Sequence, residues 1–569
     1  MHISKEAAIF LRVQIFLAAL CTAIFFGLFL LCRNGRSATL YWVAMPICLF
    51  FTPKSWLREL RFVWLQWWDM DKRDTRQLLL TALIATVILS LAAHMFAFSN
   101  IFFNHDSLRF VAYLREFTTW LDVGRPFITL MDTLAGTVSA PWLMGLMFTI
   151  WMFLASVFVI RLFQIRNTFS RVLVCGLLCT NITLSNVCAL FTFVISDYSF
   201  ALMMAIASVW LFLCCRHGEL LGVYCMTLSM LIYQAYFTAA LTFAFLVVIR
   251  SLVNSETALG VVQRGIRYLV LMAMSFCLYY ATWTVLCNVY SVEKGRMGDS
   301  TLFYGPMFFL KRFMGSFSDY FQTRLTSQNF LGRLAPAINL LAFGLALLWL
   351  LGWLMDKQLP KSNKFLLALS ICLLPAAFNT AYIFFIQTTQ SHYAVGKEIL
   401  GIFLLLCLSC PAPAFPVQRR SQAAALLLAS ALLWQNIVYS NELYIKMDMN
   451  KEATVSIFTR IIERVEQLDG YIPGTTPVAF SGSLVNNTFV SPGRKGYEWF
   501  SPQSVGAATY DYTTSWTTVY FIRDYLNYPM NHAQVPSGDA EVAVIQAMPA
   551  FPFDGSIAWV GDTVVVKLS

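Results

Sequence analysis

One polar segment, residues 99–126, carries most of the side chains that could do chemistry, and it lies between two long apolar stretches. Its charged residues are Asp106, Arg109, Arg115, Glu116, Asp122 and Arg125. Charges held against a membrane are costly, so they often mark chemistry or substrate recognition. A carboxylate such as Asp106 can accept a proton from an attacking hydroxyl, and arginine can hold a phosphate. The segment therefore predicts a group transfer in which a phosphate leaves.

Two acids are the candidate catalytic residues. Asp106 is the first choice of base, and Asp197 in Ser196-Asp197-Tyr198 is the second acid. Each could instead form an ordinary interfacial ion pair. The remaining candidates would bind substrate, because cations suit a phosphate and aromatic rings with a polar tip suit a sugar ring. They are His105, Arg109, Arg125, Tyr233, Gln234, Tyr236, Lys311, Arg312, His392 and Tyr393, with Lys397 close by.

The sequence Tyr233-Gln234-Ala235-Tyr236 places an amide between two phenols at a break in an apolar run. A sugar ring or an isoprenoid head group would suit such a site. A hydrogen bond that only stabilises a helix kink is the simpler alternative. Both interpretations stay open at the level of sequence.

The cysteine and histidine patterns do not predict a metal centre or a disulfide-stapled domain. All 14 cysteines precede residue 411, mostly within apolar stretches, and the six histidines lack metal-ligand spacing. We therefore expect no metal site and no cofactor. A divalent ion held by the carboxylates is the alternative that stays open.

The composition is that of a membrane protein. Hydrophobic residues make up 58% of the chain, charged residues 12%, and the mean hydropathy is +0.64. A helix needs about 20 apolar residues to cross a bilayer, and the first 440 residues contain many such stretches. We predict thirteen spans, near residues 10–32, 37–53, 77–98, 142–160, 172–193, 198–215, 219–232, 236–250, 268–290, 336–355, 365–386, 398–415 and 421–440.

The distribution of basic residues predicts the orientation. Twenty Lys and Arg residues lie in short connections between spans. Because successive spans cross the membrane in alternate directions, these connections all fall on one face, and the positive-inside rule identifies that face as cytoplasmic. The N-terminus is then cytoplasmic, and residues 99–141, 291–335 and 441–569 lie outside. The net charge of +10 reflects this topology rather than a nucleic-acid-binding stripe, so we expect no nucleic-acid partner.

After residue 440 the composition changes, with 13 acidic and 8 basic residues. Residues 451–468 have the apolar spacing of a helix, and residues 477–480 and 517–522 read as short strands. Residues 556–560 and 563–568 predict a hairpin around Gly561-Asp562. We thus expect an all-α polytopic membrane protein of about 13 transmembrane helices, with a small C-terminal α/β extracytoplasmic domain. The membrane domain would span residues 1–440, with its catalytic loop at 99–141, and the second domain residues 441–569.

Sidedness restricts the chemistry. The outer face has no nucleotides, so a group transfer there needs a donor on a lipid carrier such as a polyprenyl phosphate sugar. The first outer loop would supply a carboxylate for the acceptor hydroxyl and cations for the leaving phosphate.

Several pieces of the chain together resemble the polytopic Gtr-type glucosyltransferases that modify bacterial O-antigen. They are Asn104-His105-Asp106, Gly124-Arg125-Pro126, Asp197, Tyr233-Gln234-Ala235-Tyr236 and the terminal residues 548–569. The resemblance covers most of the chain, and the order and spacing of the pieces are more specific than any one of them. One departure is His105, because the family pattern leads us to expect two adjacent acids at 105–106.

The resemblance implies a C-type glycosyltransferase architecture in the bacterial inner membrane and a periplasmic reaction. The implied donor is undecaprenyl-phosphate-linked glucose, and the implied acceptor is a lipid-linked O-antigen repeat unit. A flippase and a synthase for the donor lipid would be the functional partners. Two alternatives stay open, namely a glycan polymerase or lipid-modifying glycosyltransferase that uses the same carrier, and a flippase or transporter for lipid-linked glycans.

Overall fold

The computed structural model describes residues 63, 72–101, 120–128, 140–215, 218–295, 305–323, 334–385, 394–411, 418–482, 487 and 520–569. These residues are mostly helical. The helices are α1 Lys72–Ser99, α2 Pro141–Phe163, α3 Thr168–Cys179, α4 Ile182–Leu190, α5 Ile195–Cys214, α6 Glu219–Ile232, α7 Tyr236–Val253, α8 Ala258–Tyr290, α9 Pro306–Phe321, α10 Leu334–Met355, α11 Lys361–Phe378, α12 Thr380–Phe384, α13 Leu400–Ser409, α14 Gln418–Glu466 and α15 Asp539–Ala547.

Nine helical segments among the described residues are long and apolar enough to cross a membrane. They are Asp74–Ser99, Pro141–Phe163, Thr168–Leu190, Thr192–Cys214, Tyr236–Val253, Ala258–Tyr290, Leu334–Met355, Lys361–Phe378 and Arg420–Glu466. The prediction of a mainly helical membrane protein is confirmed. Two predicted spans, 219–232 and 398–415, are shorter helices of 14 and 10 residues. The predicted spans 10–32 and 37–53 lie outside the described residues, so the count of thirteen and the topology stay predictions.

Close packing of small residues holds the bundle together. Helix α3 is central, and its Gly176 lies against Leu433 of α14 and Leu89 of α1, each 2.8 Å from where a Cβ atom would stand. Membrane helices depend on such contacts because lipid removes the hydrophobic driving force between them.

Buried polar groups also tie α14 to its neighbours. His94 of α1 lies 2.9 Å from the carbonyl of Cys179 and 2.6 Å from the hydroxyl of Tyr444. Since the carbonyl can only accept, Nε2 carries the proton and Nδ1 accepts from Tyr444. Ser185 and Ser440 form a second link of 2.7 Å between α4 and α14.

Helix α14 passes residues 440–441 without a break and ends close to a four-stranded sheet. The strands are β1 Pro477–Ser481, β2 Asn531–His532, β3 Ile557–Val560 and β4 Thr563–Lys567, in the order β2-β1-β4-β3. Strand β1 is parallel to β2 and β4, and β3 pairs antiparallel with β4 around Gly561-Asp562, as predicted. The division into two domains at residue 440 stays a prediction.

The predicted strand 517–522 is wrong where it is described. Residues Phe521–Tyr525 form one helical turn, and residues 517–519 lie outside the described part. The reason is that Phe521 and Ile522 are both fully buried beside Phe458 of α14. Consecutive residues of a strand point to opposite faces, whereas a helical turn lets two neighbours enter one core.

Candidate functional site

The turn at residues 120–128 is the centre of the candidate site. Arg125 donates its backbone N–H to the carbonyl of Trp120 at 2.9 Å, and Phe127 donates to Leu231 at the end of α6 at 3.1 Å. Gly124 has φ +75°, a conformation that costs residues with a side chain about 1–2 kcal/mol. A Cβ atom there would also collide with the Tyr279 hydroxyl. The shape of this turn thus requires glycine at position 124.

Gln234 binds the turn from the break between α6 and α7. Its Nε2 lies 2.8 Å from the carbonyl of Val123, 3.0 Å from that of Gly124 and 2.9 Å from the Tyr279 hydroxyl. Two facing carbonyls require the amide nitrogen on this side, which leaves Oε1 facing Arg125. The predicted break in the apolar run therefore holds a neighbouring loop in place.

Helix α8 provides the opposite wall. Tyr279 donates its hydroxyl to Gly124 at 3.1 Å, and Trp283 donates Nε1 to the carbonyl of Leu121 at 2.6 Å. The two residues are four apart and so share one helix face. Together with Gln234 they hydrogen-bond three carbonyl groups of the turn.

Arg125 is held by these neighbours in a half-buried position. Its Nε lies 3.4 Å from Gln234 Oε1, and one terminal nitrogen donates to the Tyr198 hydroxyl at 3.1 Å. Its guanidinium carbon lies 4.6 Å from the centroid of the Tyr233 ring. Tyr233 stacks in turn on Tyr198, with ring centroids 4.0 Å apart. A positive charge is thereby fixed in one orientation at one end of the bundle.

Asp197 lies directly before Tyr198 in the first turn of α5, and it is 1% exposed. A carboxylate in the first turn of a helix is favoured by the helix dipole. Tyr236 is also fully buried, and its ring meets those of Tyr233 and Tyr198 edge to face. Within the described part of the chain its hydroxyl makes no hydrogen bond.

A second charged cluster lies at the same end of the bundle. Lys397 donates to Asp319 Oδ2 at 2.6 Å, and Asn379 donates to the same oxygen at 2.9 Å. Thr380, next to Asn379, donates to the carbonyl of Thr238 at 2.9 Å, so the first turns of α7 connect the two clusters.

The two predicted cations of α9 differ in their surroundings. Arg312 donates to the carbonyls of Tyr382 at 2.9 Å and Phe385 at 2.6 Å, and it covers the Tyr382 ring. Burial lowers the pKa of its guanidinium, and nearby Tyr382 and Asp319 oppose that shift. Arg312 therefore fastens α9 to the end of α12, whereas Lys311 is exposed.

The structure brings Arg125, Asp197, Tyr233, Gln234 and Tyr236 together and leaves Lys311 and Arg312 on α9. His105, Asp106, Arg109, His392 and Tyr393 lie outside the described residues. Among the residues that are described, no three His, Cys, Asp or Glu side chains are placed to hold a metal ion.

No role was predicted from the sequence for Tyr198, Tyr279, Trp283, Asp319, Asn379 or Thr380. Tyr279 and Trp283 carry a weak signal, since two aromatic residues with polar tips lie four apart in an apolar helix. Tyr198 and Asp319 carry none, because their partners are 73 and 78 residues away.

Comparison with known families gives one result. Residues 95–409 match the family described as glucosyl transferase GtrII. The match spans more than half of the 569 residues and contains both charged clusters. No curated protein and no solved structure matches the chain.

Proposed function

Since this chain belongs to the GtrII glucosyl transferase family, we propose that it moves glucose from undecaprenyl-phosphate glucose to a lipid-linked O-antigen repeat unit. Membership of this family identifies the chain as a glycosyltransferase, and the long apolar helices of the chain identify it as a membrane protein. The donor, the acceptor and a reaction at the periplasmic face of the bacterial inner membrane are the proposal.

The observation that carries it is the fixed guanidinium of Arg125. Transfer from a sugar phosphate ester develops negative charge on the departing phosphate. A cation that is already oriented stabilises this charge without reorganising, and one such donor commonly contributes about 10²–10³-fold in rate. Tyr198, Tyr233 and Gln234 hold Arg125 in place and so act as positioning residues in this proposal.

In the proposed reaction the carboxylates take up the proton, and the cations stabilise the charge on the leaving phosphate. The acceptor hydroxyl loses its proton to Asp106 as its oxygen bonds to C1 of glucose, and the bond from C1 to the phosphate oxygen breaks. Undecaprenyl phosphate leaves, with its charge held by Arg125 and Arg109. A positioned base such as Asp106 contributes about 10²–10⁴-fold in rate. Asp197 is the second acid. His105, His392, Tyr393 and Lys311 would bind parts of the substrates.

The orientation is supported by the charges at the two ends of the helices. Arg125 and the Asp319–Lys397 pair lie at one end, and the opposite end carries Arg161, Arg171, Arg250, Arg264 and Lys361. The positive-inside rule favours the second end as cytoplasmic. A donor lipid made there needs a synthase and a flippase, which are the proposed partners. Residues 441–569 would then be a periplasmic domain.

The test is transfer by the purified protein in liposomes. Synthetic polyprenyl-phosphate [¹⁴C]glucose and a lipid-linked oligosaccharide are supplied, and UDP-[¹⁴C]glucose replaces the donor in a parallel reaction. We expect one labelled glucose per repeat unit from the lipid donor only, and no product with Asp106→Asn. Chain extension would favour the polymerase alternative. Movement of label across the bilayer without transfer would favour the transporter.

A further inference from the structure

A large polar cavity, of about 920 Å³, lies at the end of the bundle opposite Arg125. Its described lining comes from the connection between α2 and α3, the connection between α7 and α8, the C-terminal end of α13 and the first turns of α14. Arg250 of its wall is fourteen residues after Tyr236 on α7, which places it about 21 Å further along the helix axis. The cavity is therefore separate from the candidate site.

Two arginines, Arg166 and Arg250, line this cavity. The side chains of Arg166 and Arg250 make no hydrogen bond or ion pair with any residue that the structure describes. The Nε atom of Arg250 is buried, whereas the Arg166 side chain is exposed. A buried polar atom without a partner is rare in proteins, because its desolvation costs about 1–3 kcal/mol.

The rest of the wall is suited to an anion. Asn167 caps α3 by accepting from the N–H of Ser170 at 3.0 Å, so the positive end of the α3 dipole also faces the cavity. One carboxylate is present, Glu256, and it is paired with Arg264 at 2.5 Å. Among the residues that the structure describes, no carboxylate therefore pairs with Arg166 or Arg250.

We propose that this cavity binds a phosphate group through Arg250 and Arg166. Arginine donors arranged around a polar cavity match the oxygens of a phosphate ester. Leu405, Leu408 and Leu426 line the same wall, so an anionic lipid headgroup and a soluble phosphate are both chemically suitable sources. Phosphate binding in this cavity is independent of the proposed transfer reaction.

The experiment measures unfolding midpoints of the full chain in nanodiscs. One arm titrates inorganic phosphate in phosphatidylcholine discs, and the other raises the phosphatidylglycerol fraction without phosphate. We expect saturable stabilisation in at least one arm, and the arm identifies the source. Arg250→Gln and Arg166→Gln should each weaken the midpoint response about tenfold or more in apparent Kd. Lys361→Gln, which removes an exposed positive charge from the same end, should leave it unchanged.

Absence of saturable stabilisation in both arms would overturn the proposal. An equal loss in Lys361→Gln would also overturn it, because the response would then be general attraction to a basic surface. If Arg250→Gln does not fold, Arg250→Lys can replace it. Lysine keeps the positive charge but lacks the planar guanidinium, so this variant should bind phosphate more weakly than the original protein. Unchanged binding in both Arg250→Lys and Arg166→Gln contradicts the site.

Discussion

Arg125 and Tyr233 form a cation–π pair, with the guanidinium carbon 4.6 Å from the ring centroid. The same ring stacks on Tyr198, whose hydroxyl accepts a hydrogen bond from Arg125 at 3.1 Å. The arginine is thus held by a ring contact and by a hydrogen bond at once. This double restraint is what would let one residue meet a phosphate in a fixed orientation.

The first prediction concerns Gly124. Gly124→Ala should reduce glucose transfer at least tenfold, because the new Cβ would stand 2.7 Å from Gln234 Nε2 and collide with the Tyr279 hydroxyl. It also forces a φ of +75° on alanine. Initial rates with the lipid donor, measured on folded protein, test this.

Gly305→Ala is the matched control. Gly305 has φ +88° but nothing within 4 Å of its Cβ position, so it reproduces the backbone strain without the collision. We expect near-normal transfer from it. Equal rates in the two variants would show that the shape of the 120–128 turn does not affect the reaction.

Gln234 and Tyr279 should be energetically coupled. Gln234→Leu leaves the carbonyls of Val123 and Gly124 without its amide, and Tyr279→Phe removes a hydroxyl that bonds both Gln234 and Gly124. Residues in one hydrogen-bond network typically show coupling of about 0.5–3 kcal/mol. A double-mutant cycle on transfer rates measures it, and strict additivity would refute the shared network.

Removing one charge of the Asp319–Lys397 pair should destabilise the protein more than removing both charges. Lys397→Met leaves a largely buried carboxylate without its cation, and this commonly costs about 3–5 kcal/mol. Lys397→Met with Asp319→Asn should recover part of that loss. The unfolding midpoint in detergent measures both. A double variant no more stable than Lys397→Met would contradict this account.

The link between α1 and α14 predicts an effect of Tyr444. Tyr444→Phe removes the donor to His94 Nδ1 and leaves a buried ring nitrogen unsatisfied, at a cost of about 1–3 kcal/mol. Tyr280→Phe is the control, because Tyr280 is exposed. The free energy of unfolding should fall for the first variant only, and a similar fall in both would argue against the His94 link.

The membrane class and most helix positions follow from the sequence because hydropathy over about 20 residues is a local signal. The break at Tyr233–Tyr236 and the hairpin at Gly561-Asp562 are local in the same sense. The strand predicted at 517–522 is wrong in the part that the structure describes. The prediction used β-branched and aromatic composition, which does not show that Phe521 and Ile522 enter one core.

The candidate site is predictable only in part. Arg125 and Gln234 stand out as polar residues beside apolar stretches, but their contact joins positions 109 residues apart. Tyr198 reaches Arg125 across 73 residues, and Asp319 reaches Lys397 across 78. Such pairs depend on how whole helices pack against each other. The hydrophobic periodicity within one helix carries no information about that packing.

The most direct test of the central claim is the rate of glucose transfer from polyprenyl-phosphate glucose by Arg125→Gln. Lys294→Gln serves as the control, because Lys294 is an exposed cation that follows the C-terminal end of α8, close to the candidate site. The account predicts a loss of about 10²-fold or more for Arg125→Gln in folded protein and near-normal transfer for Lys294→Gln. Transfer by folded Arg125→Gln at the unmodified rate would contradict it.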